Sequence, residues 1–258
     1  MPTESPSTSV PSVPLGGGTR SGDWSVAGAA AFVTAVMGSA MLAAFVLQTG
    51  YGLWLTRVGP SIAADWPAPT EPAFLVSVQL GAQGVELLLI WGLTGVWHQD
   101  RSAALGLAVP RFTLGQWIGS VALLFVVKAL VTMVALGIGP TDFNREFGPF
   151  VALARSPQAW LLFLTAVVLA GLIEELLFRG VLSRTLEATR LGFWGGAAIA
   201  SAAFAMLHLQ YGFGGQLVIF AIGMTLAWIR ARSGSLWPSI VCHSINNAVA
   251  LFAMRAIS

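Results

Sequence analysis

The sequence predicts an all-α protein, a polytopic bundle of about seven transmembrane helices. Three observations carry that prediction. Hydrophobic residues make up 56% of the 258 and charged residues only 9%, with a mean hydropathy of +0.77, a balance foreign to soluble domains of this size. The apolar residues fall in runs of about 20, long enough to cross the ~30 Å hydrocarbon layer as helices. Eight of the ten tryptophans (Trp24, Trp54, Trp97, Trp117, Trp160, Trp194, Trp228 and Trp237) fall near the ends of those runs, where an amphipathic indole prefers the headgroup layer.

The spans are read at roughly 25–55, 73–97, 114–138, 158–182, 192–209, 214–230 and 237–256. The first is longer than one upright crossing needs, which predicts tilt or an end lying in the interface. Residues 1–23 are rich in Ser, Pro, Thr and Gly, with Arg20 the only basic residue. Such a stretch buries too little apolar surface to fold and is expected to be a disordered tail. It also lacks the basic start of a cleaved signal peptide. Residues 24–256 are then expected to form a single transmembrane helical domain with no convincing internal repeat.

The charges between spans predict the orientation. Arg20, Arg101, Arg111, Arg184, Arg190, Arg230 and Arg232 lie on one side, and Arg57, Arg145, Arg155 and Arg255 on the other. Seven against four favours a cytoplasmic N-terminus and an outward C-terminus by the positive-inside rule, and the cell membrane is the expected location. The net charge of +2 makes no basic patch, so nucleic acid is not an expected partner. The single cysteine, Cys242, excludes an internal disulfide and a cysteine-based metal cluster within one chain. Oligomeric state is not legible.

Three polar clusters interrupt the last spans, and ionisable groups at membrane depth are functional-site candidates because they are costly there. Glu175 and Arg179 stand four residues apart on one helix face and can pair. Glu174 points about 100° away from Glu175 and is free to face a different cavity. Antiparallel return at the Leu191-Gly192 turn brings His208 to the same depth, since Glu174 lies seventeen residues before Leu191 and His208 seventeen after it. At 1.5 Å per residue each is about 25 Å from the turn. Phe204 shares a face with His208. His243 and Asn247, one turn apart on the last span, can orient water or donate to an oxyanion, with Asn246 a nearby competitor. Each cluster also has a plainer reading: a solvated helix end, an interface histidine, or polar glue between helices. Glu86 and Lys128 sit mid-span on consecutive helices, and an ion pair between them is expected, with a cavity or proton-relay role as the alternative.

In order, Glu174-Glu175-Leu-Leu-Phe-Arg179, Phe204-Ala-Met-Leu-His208 and His243-Ser-Ile-Asn-Asn247 resemble the EExxxR, FxxxH and HxxxN signatures of the CPBP (CAAX protease and bacteriocin-processing, or Abi) family of intramembrane endopeptidases. The resemblance covers about residues 155–256, an expected catalytic core. It implies that Glu174 and His208 activate a water, that His243 and Asn247 orient it or stabilise the oxyanion, and that Glu175 and Arg179 complete the site. Family members are commonly labelled metalloproteases, and Glu174, His208 and His243 would be the zinc ligands if zinc is used. A metal-free mechanism is equally compatible and is favoured by the missing H-E-x-x-H helix. The implied substrate is a membrane-associated protein or peptide cut near its end, a prenylated CAAX protein in one branch. Two rival readings are a proton-coupled transporter and a non-catalytic scaffold or immunity protein.

Overall fold

A computed structural model describes residues 24–58, 60–68, 70–137, 150–208 and 210–256, and all secondary structure among them is helical. The expected tail lies outside the described residues. Among the described residues, seven long helices occur where the hydropathy put them: α1 (Val26–Val58), α2 (Pro72–Trp97), α3 (Leu114–Leu136), α4 (Ala159–Glu187), α5 (Gly192–Met206), α6 (Phe213–Ser233) and α7 (Trp237–Ala256).

Local sequence explains several of the boundaries. Pro72 opens α2, where its missing N–H costs nothing. Thr113 and Gln116 close a capping box at the start of α3: the Gln116 N–H donates to Thr113 Oγ1 at 3.3 Å, and the Thr113 N–H donates to Gln116 Oε1 at 2.8 Å. A short helix, Arg101–Leu105, follows α2 and is capped by Asp100, which accepts the Ala103 N–H at 2.9 Å.

Length and composition suit α1, α2, α3, α4 and α6 for crossing a membrane. The 33 residues of α1 span about 50 Å, well beyond the hydrocarbon layer. The 15 residues of α5 reach only about 22 Å. α7 is long enough, but His243, Ser244, Asn246 and Asn247 make it less apolar than the others. Leu88 is 75% exposed and Met133 72% exposed, so the outer surface is apolar, as lipid requires. The protein is integral to the membrane.

α4 is the central helix. In its most apolar window 56% of residues are buried, against 17% to 33% in the other four long apolar helices. Ile173, Leu176, Leu177, Phe178 and Val181 of α4 meet Phe32 and Val36 of α1, Ile90 of α2, Phe204 of α5 and Ile240 of α7 in one core. Around it α1 packs on α2, α3 on α6, and α5 on α6. The crossing of α4 with α7 is close at Gly171, where a Cβ would stand 2.6 Å from Ser244 Oγ and 3.3 Å from the Ser244 backbone nitrogen. Small residues permit this approach where lipid supplies no hydrophobic drive.

Two stretches of α4 are wound as π-helix, Phe163–Leu169 and Glu175–Ser183. The Ala170 N–H donates to the Thr165 carbonyl five residues back. Such widened turns recur at functional sites, and here they bracket Glu174. Two boundaries differ from the hydropathy reading. α4 continues to Glu187, and α5 stops at Met206, leaving His208 in the turn that leads to α6.

Candidate active site

The two adjacent glutamates of α4 have separate environments, as their 100° offset requires. Glu175 is fully buried, and its Oε1 accepts from Arg179 Nη1 at 2.8 Å and from His243 Nδ1 at 2.9 Å. Arg179 is itself only 1% exposed, with its guanidinium carbon 4.4 Å from the centroid of Phe204. A desolvated cation over a ring face is held by the ring quadrupole. Glu174 keeps a side chain 29% exposed and faces a cavity of about 260 Å³.

His208 and Glu86 line that same cavity, with Gln79 and Gln83 of α2 and apolar residues such as Met37 and Met41 of α1. The predicted common depth of Glu174 and His208 is therefore what the fold delivers. His208 is positioned from the end of α5, where its N–H donates to the Ala205 carbonyl at 3.0 Å. Its ring nitrogen Nδ1 lies 2.9 Å from the Phe204 carbonyl oxygen. A carbonyl only accepts, so Nδ1 carries the hydrogen, and in the neutral ring the lone pair is on Nε2. Phe204 is the shared spacer: its centroid stands 4.8 Å from that of His208 and 5.9 Å from that of His243, both edge-on.

His243 is 4% exposed and sits between the glutamates. Nδ1 donates to the carboxylate of Glu175, which leaves Nε2 3.6 Å from Glu174 Oε2. That separation exceeds a hydrogen bond. Asn247 follows one turn later, and its Nδ2 donates to the Ala166 carbonyl at 2.8 Å in the first π-helical stretch. Of the six predicted site residues, Glu174 and His208 share the cavity, Glu175, Arg179 and His243 form one bonded cluster beside it, and Asn247 bonds to Asn246 and Ala166 and is not among the residues that line the cavity.

The expected Glu86–Lys128 pair is not formed. These two consecutive spans are not neighbours here: α2 packs on α1 and α3 packs on α6. Lys128 Nζ instead donates to Asn246 Oδ1 at 2.8 Å, and Glu86 joins the cavity of Glu174. Hydropathy carried no sign that α1 supplies a wall of this cavity, or that Gln79 and Gln83 do.

Among the described residues no group of three His, Cys, Asp or Glu side chains is arranged to hold a metal ion. Nδ1 of His208 and of His243 is engaged in a hydrogen bond, which leaves the lone pair of each neutral ring on Nε2.

Residues 156–249 match the model of a family described as type II CAAX prenyl endopeptidase Rce1-like. The matched segment contains every predicted site residue from Glu174 to Asn247, and it bears out the family resemblance drawn from the three motifs. No curated protein and no solved structure matches the chain.

Proposed function

We propose that this chain, whose C-terminal segment is of the CAAX prenyl endopeptidase kind, hydrolyses a peptide bond near the end of a membrane-associated protein or peptide, with Glu174 and His208 activating the water. One observation carries the reading: Glu174 and His208 line one cavity inside the bundle, with His208 Nδ1 taken up by the Phe204 carbonyl. A water has two hydrogens, and a carboxylate with an imidazole lone pair offers two acceptors for them. Held so, its oxygen lone pair is directed at a third partner, the scissile carbonyl carbon. Glu174 takes one proton as the C–O bond forms, and returns it to the departing amine nitrogen as the C–N bond breaks.

The remaining residues prepare that step. Glu175, anchored by Arg179, holds His243 by Nδ1, and His243 in turn limits the freedom of Glu174. Asn247 has a second Nδ2 hydrogen beyond the one it gives to Ala166, and this one donates to the oxyanion. Donors fixed before the reaction stabilise developing charge without reorganisation. No metal takes part in this scheme, and full turnover after exhaustive chelation is the corresponding expectation.

The protein is proposed to lie in the cell membrane with its N-terminus in the cytoplasm, following the arginine distribution. Prenylated CAAX proteins are the proposed substrates, after the matched family's description. Membrane fractions from cells carrying the wild-type protein or Glu174→Gln provide the test. Uncut, C-terminally extended precursors should accumulate in the variant, and identical membrane proteomes would overturn the proposal.

A further inference from the structure

Lys128 lies within α3, a helix that contributes no side chain to the cavity. An ammonium at membrane depth is costly and is ordinarily met by a carboxylate. Here its hydrogen-bond partner is a neutral side chain: Nζ donates to Asn246 Oδ1 at 2.8 Å and also stands 5.9 Å from the centroid of Phe125. Asn246 is 7% exposed. Its Nδ2 donates to Asn247 Oδ1 at 3.1 Å, and Asn247 Nδ2 donates to the Ala166 carbonyl at 2.8 Å.

The chain of bonds runs in one direction for a chemical reason. An ammonium has three donors and no acceptor. Asn246 must therefore turn its oxygen toward Lys128, which turns its NH₂ toward Asn247. Asn247 must then present its oxygen to Asn246, which aims its own NH₂ at α4. A reversed Asn247 carboxamide would set oxygen against the Ala166 carbonyl and NH₂ against NH₂. One fixed charge thus decides the orientation of a second amide, two bonds away.

We infer that Lys128 is a positioning residue for the hydrolytic site: through Asn246 it locks the Asn247 carboxamide with its NH₂ toward α4, in the orientation that serves the oxyanion. The inference rests on the donor role proposed for Asn247. Asn246→Asp separates this device from a structural anchor. It keeps an acceptor for Lys128, and indeed a better one, while removing the donor to Asn247.

The experiment uses the full-length protein in lipid nanodiscs, with a fluorogenic farnesylated CAAX-box peptide as the probe. Lys128→Met and Asn246→Asp should each lower kcat by roughly tenfold with KM little changed, short of the roughly 10²-fold loss that deleting an oxyanion donor causes. Lys128→Arg, which is also donor-only, should restore most of kcat. In an Asn247→Ala background neither change should cost anything further. Wild-type kcat in Asn246→Asp, or full additivity with Asn247→Ala, would overturn the inference. Thermal melts of the same variants read the chain of bonds without any substrate. Lys128→Met and Asn247→Ala should show non-additive Tm shifts, and additive shifts would refute the coupling even if the probe is not cleaved by the wild type.

Discussion

Glu174 and Glu175 are neighbours in sequence, yet replacing each by glutamine should have opposite consequences. Glu175 Oε1 accepts two hydrogen bonds, from Arg179 and from His243, at 2.8 and 2.9 Å. Charge-assisted bonds contribute about 1.5–3 kcal/mol each, and an amide oxygen in the same place would keep about 1 kcal/mol of each. The larger effect is the guanidinium left without its counter-charge in a buried site. Removing one partner of such a pair costs about 3–5 kcal/mol. The ring of Phe204 still holds the cation, which places the expected loss for Glu175→Gln near the lower limit, about 3 kcal/mol. For a chain of this size that is a Tm decrease of roughly 6–12 °C. Glu174 is part-exposed, and its nearest such partner, His243 Nε2, is 3.6 Å away. Glu174→Gln should therefore cost less than about 1 kcal/mol while abolishing turnover. Thermal melts in nanodiscs, paired with peptidase assays, distinguish the two. Equal Tm values for both variants would refute the division of labour between the glutamates.

Gly223 tests how tightly Arg179 is held. A Cβ there would lie 2.8 Å from both Arg179 Nη2 and Ser201 Oγ, so Gly223→Ala should destabilise by about 1–3 kcal/mol through overpacking. Gly84 is the control, because a Cβ added there would meet nothing within 4 Å. Gly84→Ala should stabilise by about 0.5–1 kcal/mol, the ordinary helical gain, and the same sign at both positions would contradict the packing. Asn247→Ala should lower kcat by about 10²–10³-fold with little change in KM, and a KM effect alone would argue against an oxyanion donor. Enzyme dialysed against strong chelators should keep its full rate, and recovery of lost activity on adding zinc would overturn the metal-free scheme.

Much of this architecture was legible because membrane spans are written in hydropathy and within-helix pairing is written in spacing. Glu175 and Arg179 meet because they are four residues apart on one helix, and the offset of Glu174 follows from the same geometry. The shared depth of Glu174 and His208 followed from chain length about a turn, even though α5 ends two residues before His208. What spacing does not encode is which helices touch. The Glu86–Lys128 expectation failed on that point, since adjacency in sequence did not make α2 and α3 partners. The contact of His243 with Glu175 depends on where α4 and α7 cross, which is set by small residues such as Gly171 and not by any polar motif. Met37 and Met41 line the cavity from α1, yet in sequence they are indistinguishable from the lipid-facing residues of the same apolar run.

Single-turnover cleavage of the farnesylated CAAX peptide by nanodisc-embedded wild-type protein and by folded Glu174→Gln tests the central claim most directly. The account requires product from the wild type, with one solvent oxygen in its new carboxylate, and none from the variant. Product formed at the wild-type rate by Glu174→Gln would contradict it.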